Sequence, residues 1–282
     1  MPRCVRIKIR LTEIRIYKYI NRLKKCPRAN KFALNRQITA NHRLSARFRK
    51  VISAPIAWHF NPAAPISGQI DPIRKPCLMT IHLHQNDLPD GLNLGSIVAI
   101  DTETMGLDPR RDRLCVVQLS SGDGNAHLVQ IAKGQTSAPN LERLLTDPAV
   151  TKLFHFGRFD VAALQNAFGV VTAPVWCTKI ASRLVRTFTD RHGLKYLLQE
   201  LVGVDVSKQQ QTSDWGAAQL TEAQKDYAAS DVLYLHKLKE ALEARLIRED
   251  RLDLANRLFH FLPTRAELDL MGYDTPLDIY HH

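Results

Sequence analysis

The stretch Ile97–Leu107 reads IVAIDTETMGL, and it sets the reading of everything around it. Ile97 to Ile100 are four consecutive apolar residues with β-branched types among them, the signature of a buried strand. The run ends in two acids, Asp101 and Glu103. Side chains alternate along a strand, so the two carboxylates point to one face. Carboxylates side by side repel each other unless a cation lies between them. An all-oxygen donor set of this kind suits Mg²⁺ or Mn²⁺. The plainer alternative is a strand running into an acidic turn. Further ligands downstream would decide between the two.

The chain has 282 residues, enough for one large domain or two small ones. Its 45% hydrophobic and 24% charged content is ordinary for a globular protein. No apolar run approaches the roughly 20 residues that span a bilayer. The five cysteines, Cys4, Cys26, Cys77, Cys115 and Cys177, form no CxxC pair. Their odd number argues against a disulfide framework, and a reducing cytoplasm is the expected setting.

The net charge of +11 is unevenly spread. Residues 1–78 hold 18 Lys and Arg against 2 Asp and Glu, whereas residues 79–282 hold 21 against 26. All the excess positive charge therefore lies in the first quarter. Asn30–Lys50 is rich in Arg and Asn with little periodicity, and Ser53–Pro76 carries five prolines that no regular element accommodates. Three readings compete for this segment. It is a basic disordered arm that binds nucleic acid, an Arg-rich targeting peptide, or sequence translated upstream of a true start at Met79. We expect the third, because the text becomes domain-like at Met79. The chain then divides into a basic, Pro-rich extension, 1–78, and a single catalytic domain, 79–282.

Within that domain the pattern predicts strands at Thr80–His84, Leu114–Leu119, Ala126–Ile131, Lys152–Phe156 and Val175–Cys177 besides the central one. Helices are expected at Asn140–Thr146, Asp160–Phe168, Lys179–Arg186, Leu194–Leu201 and Glu222–Glu249, the last with a possible break. A final helix, Arg251–Leu262, is expected to stop before Pro263. The result is an α/β domain, a mixed sheet with helices packed on it.

Two later stretches offer acids. His155–Leu164, HFGRFDVAAL, places Asp160 at the mouth of a helix that follows a strand. N-capping alone would explain an acid there. Tyr227–Asp231, YAASD, puts a phenol and a carboxylate four residues apart, on one helix face. Alone, that pair is an ordinary helix surface.

Together, D-x-E at a strand end, an acid at a strand-to-helix junction and Y-x-x-x-D on a late helix form a specific order. It resembles the DEDDy branch of the DEDD 3′-5′ exonucleases, which have a ribonuclease H-like fold. HFGRFD is similar to the second exonuclease motif of ribonuclease D-type proteins. SKQQQTSDWGAAQLTEAQKDYAASD, Ser207–Asp231, is similar to the segment that precedes and includes their third motif. The text DTETMGLDPRRDRLCVVQLSSGDG, with IAKGQTSAPNL, CTKIAS, DRHGLK and FLPTRAELDL, resembles the small nanoRNase C proteins, exonucleases that remove RNA dinucleotides left by bulk decay. The likeness runs from Met79 to the C-terminus, and residues 1–78 depart from it. Larger ribonuclease D proteins carry helical RNA-binding domains after the catalytic one, and no such domain is expected after Leu262.

The resemblance implies two divalent metal ions, Mg²⁺ or Mn²⁺, held by Asp101, Glu103, Asp160 and Asp231. Two such ions about 3.5–4 Å apart hold both the attacking and the leaving oxygen of an in-line displacement. Tyr227 takes the tyrosine's role of orienting the attacking water. By resemblance Leu107 wedges between the last two bases, with a loop leucine that covers the core as the alternative. His155, Arg158, His192 and Lys195 are candidates for contact with substrate phosphates. Trp215 is read as a buried structural residue, with base stacking as the alternative. Residues 264–282 are too apolar for a free tail and are expected to dock on the body or on a neighbouring subunit. The nanoRNase C likeness implies a homo-oligomer, a ring-like octamer. The mildly acidic body suits a short substrate recognised at its ends, since nucleases for long RNA offer a basic track. The expected function is hydrolysis of short RNA, dinucleotides above all, to nucleoside 5′-monophosphates. One alternative is a less length-selective exonuclease on structured RNA or DNA. Another is an RNA-binding module on a dead nuclease fold, which predicts a missing ligand.

Overall fold

The computed structural model describes residues 79–206, 209–210, 212–273 and 279. The basic extension 1–78 and most of the text after residue 273 lie outside the described residues, so the expectations for them are not met or missed here. Strands β1 (Thr80–Gln85), β2 (Ile97–Thr104), β3 (Leu114–Ser120), β4 (Asn125–Gln130), β5 (Thr151–Phe154) and β6 (Val175–Cys177) build one sheet in the order β1-β4-β3-β2-β5-β6. β2, β3 and β4 are an antiparallel meander. β1 joins its edge in parallel, and β5 and β6 extend it in parallel on the other side. The helices are α1 (Pro139–Thr146), α2 (Arg158–Phe168), α3 (Thr178–Val185), α4 (Leu194–Leu201), α5 (Glu222–Leu233), α6 (Leu235–Arg248) and α7 (Leu252–Leu270). This is the mixed, helix-flanked α/β sheet of the ribonuclease H-like exonucleases.

β2 is central and outlasts its apolar run, because its pairing with β3 continues to Thr104 with a register shift at Glu103 and Thr104. Ala99, Asp101 and Glu103 face one side, opposite Ser120, Gln118 and Val116 of β3. Ile100 and Thr102 face the other, opposite Leu119 and Val117. On the carboxylate side, Val116 and Leu128 pack with Trp215, Leu220 and Ala228 under α5. On the other side lies the larger core, where Ile100, Val117 and Leu119 meet Val161 and Leu164 of α2.

Three details differ from the sequence expectations. β5 ends at Phe154, not Phe156, because Phe156 takes a left-handed backbone (φ 66°) that turns the chain into α2. α2 therefore begins at Arg158 with Gly157 as N-cap, and Asp160 is not the cap. A Cβ at Gly157 would stand 2.6 Å from that of Phe154, so the junction requires glycine. The break allowed for in the long helix falls at Tyr234, between α5 and α6. The final helix does not stop at Pro263 but runs to Leu270. A mid-helix proline costs about 3 kcal/mol. The buried face of α7 continues past it, from Ala255, Phe259 and Leu262 to Arg265, Ala266 and Asp269. Full burial of one leucine is worth about 1.5–3 kcal/mol, so that face, with the ion pairs described below, outweighs the missing hydrogen bond.

Candidate active site

The last half of β2 delivers Asp101 and Glu103 beneath α5, and α5 brings Asp231 down to them. The helix is started by a capping box. The Gln224 amide N–H donates to Thr221 Oγ1 at 3.2 Å, and the Thr221 N–H donates to Gln224 Oε1 at 2.9 Å. Gln224 is itself buried and donates from Nε2 to the Asp214 carbonyl at 3.0 Å, which ties the helix start to the loop before it. Oxygens of Asp101, Glu103 and Asp231 lie within 4.8 Å of one another, and among the described residues this is the one such acidic or metal-ligating group.

Asp160 arrives from α2. Thr102 lies between the two acids of β2 but points to the opposite face, and its hydroxyl donates to Asp160 Oδ1 at 2.7 Å. Asp160 is buried, whereas Asp101, Glu103 and Asp231 are half-buried. The Tyr227 hydroxyl hydrogen-bonds the Asp231 side chain, and its ring sits 6.0 Å from that of Trp215. Trp215 is 3% exposed and belongs to the core under α5, as read from the sequence.

The electrostatics of this cluster are those of charges forced together. Burial, then the neighbouring Asp160, Asp231 and Glu103, raise Asp101 well above the ordinary carboxylate range. Burial and the charges of Asp231 and Asp160 push Glu103 up to about 9. Burial pushes Asp160 up to about 7 against the pull of the Thr102 hydrogen bond. The Tyr227 phenol is also raised, by burial and then by Asp231, Glu103 and Asp101. Asp101, Glu103 and Asp160, raised by burial and by neighbouring negative charge, form with Asp231 an oxygen-only donor set that fits a divalent cation.

Leu107 is 90% exposed on the loop after β2. It shares a cavity of about 300 Å³ with Asp108, Phe156, Arg158, Phe159 and Asp269. Arg158 is held in a two-pronged ion pair by Asp269 of α7, Nε to Oδ2 at 2.5 Å and Nη2 to Oδ1 at 2.6 Å. His155 lies just past β5, and its Nδ1 meets Thr178 Oγ1 at 2.8 Å. That hydroxyl donates to the Phe154 carbonyl at 3.2 Å, so the imidazole N–H is the donor to it. His192 and Lys195 are engaged elsewhere, His192 Nδ1 with Ser182 Oγ at 2.9 Å and Lys195 with Asp205 at 3.3 Å. Sequence reasoning passed over Thr102 and Asp269. Thr102 was legible in principle, as the hydroxyl between two acids on a strand. Asp269 was not, since it lies beyond the proline taken as a helix end.

Residues 85–247, more than half of the chain, match the 3′-5′ exonuclease domain family. A ribonuclease D from Acidiphilium cryptum is 41% identical over 166 residues, and the chain spans 42% of that protein's length. The crystal structure of ribonuclease D from Escherichia coli, 28% identical, superposes with a TM-score of 0.55 over 61% of this chain and 45% of that one. Brucella melitensis NrnC with bound Mg²⁺ is 58% identical, with a TM-score of 0.69 over 72% of this chain and 100% of that one. NrnC bound to pGG is 60% identical, with a TM-score of 0.70 and 99% of its length covered. On the match over residues 85–247 and these likenesses, the chain belongs to the 3′-5′ exonuclease family, alongside ribonuclease D and NrnC.

Proposed function

We propose that this protein is a metal-dependent 3′-5′ exoribonuclease that hydrolyses short RNA, dinucleotides above all, to nucleoside 5′-monophosphates. The observation that carries the reading is the convergence of Asp101, Glu103 and Asp231 within 4.8 Å, with Asp160 held beside them by Thr102. The four acids would hold two divalent ions, Mg²⁺ or Mn²⁺, which would lower the pKa of a water towards neutral and offset negative charge at the leaving oxygen.

The chain's own residues do the rest. Tyr227, with its hydroxyl on Asp231 and its phenol raised, stays protonated and orients the attacking water rather than taking its proton. Leu107, exposed on the loop after β2, is the side chain that would wedge between bases. Arg158, His155, His192 and Lys195 are the candidates for phosphate contact, and Arg158 is already oriented by Asp269. Preference for dinucleotides is supported by the near-full-length likeness to NrnC, which has been solved with pGG, and by the 26 acidic against 21 basic residues in 79–282. The catalytic domain is 79–282, acting in the cytoplasm as a homo-oligomer. Among the described residues no helix is long and apolar enough to cross a membrane.

The test is to incubate the full chain with Mn²⁺ or Mg²⁺ and labelled RNAs graded from dinucleotide to heptanucleotide, with Asp101→Ala as control. Much faster loss of the dinucleotide is the expected result. If every length shortens alike from the 3′ end, the exonuclease stands and the length preference falls. If Asp101→Ala cleaves as well as the parent, the activity is foreign and the chain is an RNA-binding module.

A further inference from the structure

Gln118, in the middle of β3, is fully buried, and neither its Nε2 nor its Oε1 has a hydrogen-bond partner. A buried amide left unmade on both sides is costly, and such groups are rare enough in folded proteins that each calls for a reason. An apolar residue of the same volume would suit a site walled by Val116 and Leu128 better. The register supplies the reason. Gln118 is the cross-strand partner of Asp101 on β2, and its other partner, on β4, is Leu128. Directly opposed residues share a face, with Cβ atoms about 4.5–5.5 Å apart. Gln118 therefore lies beside Asp101 on the carboxylate side of the sheet, under the helix that carries Tyr227 and Asp231. α5 packs on β2, β3 and β4 there.

We propose that Gln118 is a positioning residue for the metal-binding carboxylates: its side-chain amide, unpartnered in this structure, donates to the neighbouring oxygen of Asp101 when a cation draws the other oxygen towards Glu103 and Asp231. The side chain has the right chemistry for this task. It offers two N–H donors without a charge. A Lys or Arg at this position would instead compete with the cation for the carboxylate. Partners behind a ligating carboxylate or imidazole typically govern metal affinity by 10–100-fold. The inference rests on the metal-binding reading of the acidic cluster given above.

The test compares the full chain with Gln118→Met, the nearest apolar isostere, and Gln118→Leu, and uses Asp101→Asn as a reference. Mn²⁺ affinity is measured by calorimetry on metal-free protein, and thermal midpoints are measured in chelator. Both Gln118 variants are expected to melt at or above the parent temperature without metal, since they remove an unsatisfied buried amide, and to bind Mn²⁺ about 10-fold more weakly. A structural role would show the opposite, a lower metal-free midpoint with unchanged affinity, and would overturn the proposal. If Asp101→Asn loses Mn²⁺ while both Gln118 variants keep it, the inference on Gln118 fails alone. If Asp101→Asn itself binds Mn²⁺ like the parent, the metal reading beneath it has failed.

Discussion

At the scale of single residues, the site is a set of acids that the fold makes uncomfortable. Glu103 is raised to about 9 and Asp160 to about 7 by burial and shared negative charge. The unfolded chain would release those protons near the ordinary carboxylate value. The folded, metal-free protein thus binds more protons than the unfolded one, and it gains stability on the acid side that is lost as pH rises through about 7 and then about 9. A cation must displace the same protons, so its binding tightens over the same range. The expected outcome is a metal-free thermal midpoint that falls from pH 7 to pH 9, with a rise on adding Mn²⁺ that is larger at the upper end. A scanning fluorimetry series with and without Mn²⁺ checks it, and a pH-independent Mn²⁺ shift would contradict it. Asp101, Glu103 and Asp231 were legible in the sequence because strand alternation and the i, i+4 helix rule are local. Their common meeting point was not, since residues 101 and 231 are joined only by the packing of α5 on the meander.

At the scale of elements, the C-terminal helix matters more than its sequence suggests. Pro263 reads as a stop, yet α7 carries on for two more turns and delivers Asp269 to two arginines. Arg158 of α2 and Arg265 of α7 both donate to it, Arg265 Nη2 to Oδ1 at 2.5 Å. Asp269 and the Arg265 side chain are each 11% exposed, so this is a buried pair rather than a surface one. Removing one partner of a buried pair strands the other, at a cost of about 3 kcal/mol. Asp269→Ala should lower stability by that amount in urea denaturation. The exposed Lys225–Glu222 pair, with Glu222 84% exposed, should give under about 1 kcal/mol when broken. Equal effects at the two sites would contradict this account. Because Arg158 stands two residues before Asp160 and beside Leu107 in one cavity, loosening it is also expected to slow turnover. Most strands were predictable from apolar runs between turn residues. The error at Pro263 has a physical reason: a local penalty was set against a burial that only the tertiary structure reveals.

At the scale of the whole molecule, charge is divided between a basic first quarter and a mildly acidic body. For single-stranded nucleic acid, log affinity falls with log salt by about 0.7 per neutralised phosphate. A protein that grips a dinucleotide at its site meets one or two phosphates. The dependence of kcat/KM on KCl should then be shallow, with a log–log slope of about −1. A slope several times steeper, seen with longer RNA only, would assign the 18 basic residues of segment 1–78 a part in holding substrate. That segment lies outside the described residues, and its role is the feature of the chain least legible from either sequence or fold.

The most direct measurement is anomalous diffraction from crystals of this protein soaked in Mn²⁺. The account predicts strong peaks enclosed by Asp101, Glu103 and Asp231, with Asp160 alongside, and their loss in Asp101→Asn crystals. Saturating Mn²⁺ with no peak among these carboxylates, or an undiminished peak in the variant, would contradict it.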